Sequence, residues 1–162
     1  MAYVIGGKDN STITSAELTQ GKGFTVGNRR TDEAGQQWVY IQASASLTQY
    51  DAVAIKANYK GLQLTLDGAK AAIEVGFAQV AFDVGDYGWV QVTGRPLIRL
   101  AADCDKELAL YATATGGVLD DATTSAMIQG VVCTTSVTGA TTAATCVAQF
   151  PTIARAVVLG AV

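Results

Sequence analysis

At 162 residues the chain is long enough to bury one real core, with room for an arm but not for a second large domain. Charged residues make up 15% of it, against roughly 25% in average globular proteins, and apolar residues 49%, so much of its surface is expected to be covered by another subunit. A net charge of −3 with the 11 basic residues scattered along the chain excludes a phosphate-gripping surface, and no direct nucleic-acid partner is expected.

Residues 1–23 are rich in Gly, Ser, Thr, Lys and Asn, with one candidate helical turn at Ser15-Ala16-Glu17-Leu18. Such a stretch cannot bury enough to fold alone and reads as an N-terminal arm ahead of a domain spanning 24–162. Tyr3, Val4 and Ile5 form one apolar patch in it and Ile13 another, the candidate contacts with a neighbouring subunit or lattice. The opening MAYVIGGKDN has no basic start followed by an apolar core, so no secretory signal is expected and the chain reads as made in a cytoplasm. No apolar run approaches the ~20 residues of a membrane helix, so no membrane partner is expected.

From Phe24 the pattern alternates. Phe24-Thr25-Val26-Gly27 and Gln37 to Gln42 read as strands about the polar turn Thr31 to Gly35. Asp51 to Lys56 and Gly61 to Leu66 read as a strand pair across Asn58-Tyr59-Lys60, and Asp67 to Glu74 as a short helical connector. Val75 to Gly94 is the expected centre of the fold, a hairpin of Gly76 to Phe82 and Tyr87 to Thr93 about Asp83-Val84-Gly85-Asp86. Gln79 and Gln91 are the only strongly polar side chains within its two runs, so little of it should face water.

Beyond Gly94-Arg95-Pro96, strands are expected at Leu97 to Ala101, Leu108 to Thr113, Met127 to Ser136 and Ala143 to Phe150, the last ended by Pro151, with a final strand or tail over Ile153 to Val162. About ten short strands with turn signals every 8–12 residues predict an all-β fold, a small barrel or sandwich with an extended N-terminal arm. The many alanines lower strand propensity and blur the boundaries.

The absence of histidine excludes Ser-His and Cys-His nucleophile pairs and any His-ligated metal. Asp103, Asp105 and Glu107 alternate, which would set three oxygen ligands on one side of an extended segment, but Cys104 and Lys106 fill the gaps and no loop glycine follows. A solvated turn is the reading there and at Asp120-Asp121. Gly85-Asp86-Tyr87-Gly88 and Thr115-Gly116-Gly117 are not followed by a helix and so are not phosphate loops. No catalytic residue, metal or cofactor is expected. Trp38, Tyr40, Trp89 and Tyr111 could form a sugar platform or belong to the core. The three cysteines match no zinc spacing. A turn at Gly139-Ala140 would set Cys133 opposite Cys146, a candidate cross-strand pair near disulfide reach or two buried thiols, with Cys104 left over.

The succession Gly35-x-x-Trp38-Val39-Tyr40-Ile41-Gln42-Ala43, Gln49 to Ile55, Gly76 to Phe82, Asp86 to Gly94 and Leu110 to Gly117 resembles the head-decoration (capsid cement) proteins of tailed bacteriophages. The likeness covers roughly residues 35–150 and rests on the order of strand motifs, not on a chemical signature. It implies a non-enzymatic β-domain on the capsid surface of the virion, bound to the major capsid protein and to itself, often as a trimer, and reinforcing the lattice against packaged DNA. A tail, collar or fibre component is the alternative within that class, and a carbohydrate-binding module using Trp38, Trp89 and Tyr111 the alternative outside it.

Overall fold

The computed structural model describes residues 23–124, 126–139, 142–148 and 155–158. The arm ahead of position 23, with Tyr3, Val4, Ile5 and Ile13, lies outside the described residues. The fold is all-β. The described strands are β1 Arg29–Thr31, β2 Gln37–Ala43, β3 Ala52–Ile55, β4 Lys60–Gln63, β5 Glu74–Phe77, β6 Tyr87–Gln91, β7 Leu97–Leu100, β8 Ala109–Ala112, β9 Leu119–Asp120, β10 Ala126–Cys133, β11 Thr142–Ala148 and β12 Arg155–Val158, with one 3-10 turn at Gly68–Ala71.

The first sheet runs β1-β2-β4-β3-β5-β6, and pairing of β6 back onto β2 closes five of these strands into a barrel. β1 stays outside the ring. It takes one end of the β2 edge (Arg29 opposite Val39), and β4 takes the other in parallel (Gln42 opposite Lys60). Alternation along the strands sends Val39, Ile41, Val53, Ile55, Val90 and Val92 into the barrel.

The second sheet runs β11-β7-β9-β8-β10-β12, and β10 pairs β11 as well, so its ladder also returns on itself. β10 serves two partners on one edge: Ala126 to Gln129 pair with β12, and Val131 to Cys133 with β11. The register against β8 shifts between Ile128 and Val132, and Gly130 takes φ +83° within that shift. A bulge there bends the strand, and glycine meets its backbone demand without a Cβ clash.

The expected central hairpin is corrected. β5 and β6 meet at a single pair, Phe77 with Gln91, whereas β6 pairs β2 over five residues from Trp38–Gln91 to Gln42–Tyr87. Residues 78–82 turn instead toward 47–51: Ala78 N donates to Asp51 O (3.0 Å), and Leu47 and Phe82 exchange backbone bonds (2.9 and 3.0 Å). Closing a small barrel needs β6 to leave β5 early and reach β2. The burial expected of the hairpin holds for β5, buried throughout, and for β6 from Gly88 on, but not between them, where Ala81, Asp83 and Val84 are exposed.

The two sheets share a wall. Ala52, Ala54, Val75 and Phe77 face outward from the barrel into a cluster with Ile98, Leu100, Leu110, Leu119 and Ile128 of the second sheet. Polar side chains stitch the same seam. The Gln79 amide stands in for a strand residue beside β7, donating from Nε2 to Leu97 O (3.0 Å) and accepting from Leu97 N (3.3 Å). The wholly buried Asp51 carboxylate accepts from Arg99 of β7 (2.5 Å), Gln63 Nε2 (2.7 Å) and Thr48 N (2.7 Å). Gly117 closes over it with φ +75°, where a Cβ would fall 2.3 Å from the Asp51 carboxyl carbon.

Removing one partner of a buried, hydrogen-bonded ion pair strands the other charge, so Asp51→Ala should destabilise the fold by about 3–5 kcal/mol. Urea unfolding measures it. A loss below about 1 kcal/mol, the scale of a surface pair, would show that Asp51 does not hold the seam.

Candidate functional site

The outer face of β2 and β6 is built of aromatic side chains, because the alternation that sends Val39, Ile41 and Val90 inward sends Trp38, Tyr40 and Trp89 out. Phe24 and Arg30, on the N-terminal side, cover them. Gly27 N donates to Tyr40 O (2.8 Å) and Tyr40 N to Asn28 O (2.9 Å), which lays residues 24–28 along the β2 edge. This corrects the strand expected at Phe24 to Gly27: Gly27 takes φ +87°, a conformation no strand residue adopts, and the regular ladder starts at Arg29.

Phe24 sits on the cluster with its ring 5.6 Å from Tyr40 and 5.1 Å from Trp89, both edge-on, and Trp89 meets Tyr40 edge-on at 5.1 Å. Tyr87 stacks on Tyr40 at 6.4 Å. The Arg30 guanidinium lies over both indoles, 4.7 Å from Trp89 and 5.3 Å from Trp38, a cation–π contact on two rings. Trp38 Nε1 donates to Asp32 Oδ2 (3.1 Å), while Asp32 Oδ1 accepts from Ala34 N and Gln36 N (2.9 Å each) and shapes the turn between β1 and β2. Arg29 grips the buried Glu74 with two hydrogen bonds (3.1 and 2.6 Å), which ties β1 to β5. That bidentate bond chiefly raises the Arg29 pKa, and burial raises that of the Tyr40 phenol.

Trp38 and Trp89 are only 5% and 4% exposed, so the indoles belong to a packed cluster and not to an open platform. Tyr111 lies on β8 of the other sheet, away from them. Phe24, 40% exposed, is the ring of the cluster that reaches solvent. Large apolar side chains are also exposed at Ile73, Val84 and Leu108. Sequence pattern located the four aromatics but not Arg30, whose role follows from the β1 register that sets it opposite Trp38.

Asp103, Asp105 and Glu107 do not line an extended segment: Asp103 and Glu107 take φ +58° and +65°, and all three are exposed in a turn. Asp103 Oδ1 accepts from Gly139 N (3.0 Å), and Asp121 Oδ2 from Asp105 N (2.8 Å). Cys104, between them, is buried. Its thiol lies with the Asp120 and Asp121 carboxylates within 4.8 Å, a grouping that sequence spacing does not reveal. Burial, and after it the Asp121 charge, pushes that thiol up to about 11. Cys133 stands opposite Cys146 in the β10–β11 ladder, and its buried Sγ, a free thiol, donates to Thr135 O (2.8 Å).

No protein-family model matches the chain, and no curated protein matches it.

Trp89→Ala removes the ring against which Phe24, Tyr40 and Arg30 all pack and should cost about 3–5 kcal/mol in thermal or denaturant unfolding. A wild-type melting temperature in the variant would place Trp89 on a contact surface instead. The Cys104 thiol gives a second expectation, with a definite sign. Its pKa is about 11 in the folded chain against an ordinary 9.0, so the unfolded chain releases a proton that the folded chain keeps. Stability is therefore full below pH 9 and falls as pH rises toward 11, by up to about 1.4 kcal/mol per pH unit from this group. Unfolding of wild type and Cys104→Ala under reducing conditions measures the difference. Equal slopes between pH 9 and 11 would remove Cys104 as their source.

Proposed function

We propose that this chain is a structural protein of a tailed-phage particle, a head-decoration protein that attaches to the assembled capsid as a homo-oligomer and stiffens it. The order of strand motifs motivates the reading, and one geometric observation carries it furthest. The arm enters the domain at Phe24, whose half-exposed ring is seated on Tyr40 and Trp89, one residue from each of the two strands whose pairing closes the barrel. A pull on the arm is thus delivered to the closing seam of a packed domain, which is what a cement protein needs of its anchor. The buried carboxylates Asp51 and Glu74 serve the fold through Arg99 and Arg29, so attachment falls to apolar contacts from Tyr3, Val4, Ile5, Ile13 and the domain's exposed apolar residues. No catalysis is assigned to it, and its partners are the major capsid protein and further copies of itself, most simply three.

A tail, collar or fibre component would use the same domain in another symmetry. A glycan-binding module would need Trp38 and Trp89 uncovered, and their burial gives that reading no support. Particles lacking the protein should assemble but release DNA at lower temperature than decorated ones. Added full-length protein should restore them, and protein lacking residues 1–22 should restore them less. Restoration should survive a rise from 0.1 M to about 1 M salt, where the Debye length falls from ~10 to ~3 Å. Equal release temperatures with and without the protein would overturn the decoration reading and leave the tail or fibre reading ahead.

A further inference from the structure

The cysteine register takes on chemical meaning once the backbone bonds around it are followed. Cys133 ends β10, and its carbonyl accepts from Glu107 N (2.8 Å), on the side of β8. In an extended strand the N–H and C=O of one residue point to the same neighbour, so Cys133 directs its backbone groups away from β11. Its pair with Cys146 is therefore a non-hydrogen-bonded one, where facing Cα atoms stand ~4.5 Å apart and side chains come closer than at hydrogen-bonded sites. That separation lies within the ~4.4–6.8 Å that a disulfide spans.

Facing matters as much as distance. Cys133 and Val131 are buried on the inner face of the second sheet, with Val132 between them on the other. On β11, Ala144 belongs to that same buried cluster, two residues from Cys146 along the strand. Two cysteines thus oppose each other in the register of one ladder, at the pair type that brings facing residues nearest.

We propose that Cys133 and Cys146 are a redox pair, joined by a disulfide when the chain meets an oxidising medium and free while it is held in a reducing one. With a low-molecular-weight disulfide such as glutathione disulfide as oxidant, one cysteine thiolate attacks an oxidant sulfur and releases one glutathione thiolate. The other cysteine then displaces the second glutathione. Two thiols lose two protons and two electrons, one S–S bond forms in the protein and one breaks in the oxidant, and two glutathione thiols result. Before the bond forms, the Cys133 Sγ leaves Thr135 O by rotating about χ1. Its place at the end of β10, next to exposed Thr135 and Ser136, makes the opening a local one. The bond would pin the hairpin that returns the second sheet on itself. This inference does not depend on the proposed function.

The test uses the full chain, purified reduced and equilibrated with glutathione disulfide, then alkylated, digested without reductant and mapped by mass spectrometry. Two of the three thiols should disappear into a Cys133–Cys146 cross-linked peptide, with Cys104 alkylated only after unfolding. The oxidised chain should melt about 5–10 °C above the reduced one, as closing a loop of this length predicts, and a dithiol reductant should reverse the change. Cys133→Ser and Cys146→Ser should each abolish the shift, and Cys104→Ser should keep it. Mapping on the wild-type chain decides the matter even if a variant misfolds. Three thiols still alkylatable, a bond to Cys104, stable mixed disulfides with glutathione, or bonds only between chains would each overturn the proposal.

Discussion

The buried Asp51 carboxylate is the constraint from which the rest of the architecture follows. A carboxylate removed from water is tolerated only when donors replace its hydration, and three converge on it from separate parts of the chain: Arg99 of β7, Gln63 of β4 and the Thr48 amide. Apolar packing between the two sheets would accept small slips in their relative position, since contacts between aliphatic groups are non-directional. Hydrogen bonds to one carboxylate do not accept them. The pair fixes where β7 crosses the wall of the barrel, Gly117 seals it, and Gln79 repeats the device two residues along β7, on Leu97.

A comparable logic operates at the opposite face. Glu74 is buried on β5 and is reached by Arg29 of β1, a strand outside the closed ring. The ion pair and the neighbouring stack of Arg30 on Trp38 and Trp89 clasp β1 to the barrel from two adjacent residues, one working by directed hydrogen bonds and the other through the ring faces. Residues 24–28, ahead of β1, are thereby held in one path along β2.

How much of this was legible in the sequence depends on the range of the interaction. Strands set by local pattern form near where it puts them: Gln37 to Gln42 lies within β2, and the pair expected at Asp51 to Lys56 and Gly61 to Leu66 forms as the shorter Ala52–Ile55 and Lys60–Gln63. Pairings set by closure do not. Tyr87 to Thr93 follows Gly76 to Phe82 across a convincing turn, yet its ladder is with β2, because barrel closure satisfies more backbone groups than the local hairpin could. Asp51 reads as the first residue of a strand, and Gly116-Gly117 as a turn, since nothing in either segment encodes a meeting across the chain. Gln79 and Gln91 did stand out, as polar side chains in apolar runs, and both are held: Gln91 Nε2 donates to Gln36 and to Thr93 O (2.9 Å).

The alanines that blur the strand boundaries have a structural reason in the shared wall. β3 is buried on both faces, with Val53 and Ile55 filling the barrel while Ala52 and Ala54 meet the second sheet. A strand covered on both sides needs no polar alternation, and two sheets can approach closely only where one presents small side chains. Gly76 of β5 serves the barrel side in the same way, where a Cβ would come within 2.9 Å of Val90. Low intrinsic strand propensity is thus offset by burial on both faces, the condition under which propensity scales measured at half-exposed sites stop applying. The same economy of side chain explains the scarcity of charge: in the wall between two cores, the charged side chains that remain are the ones the sheets hold between them.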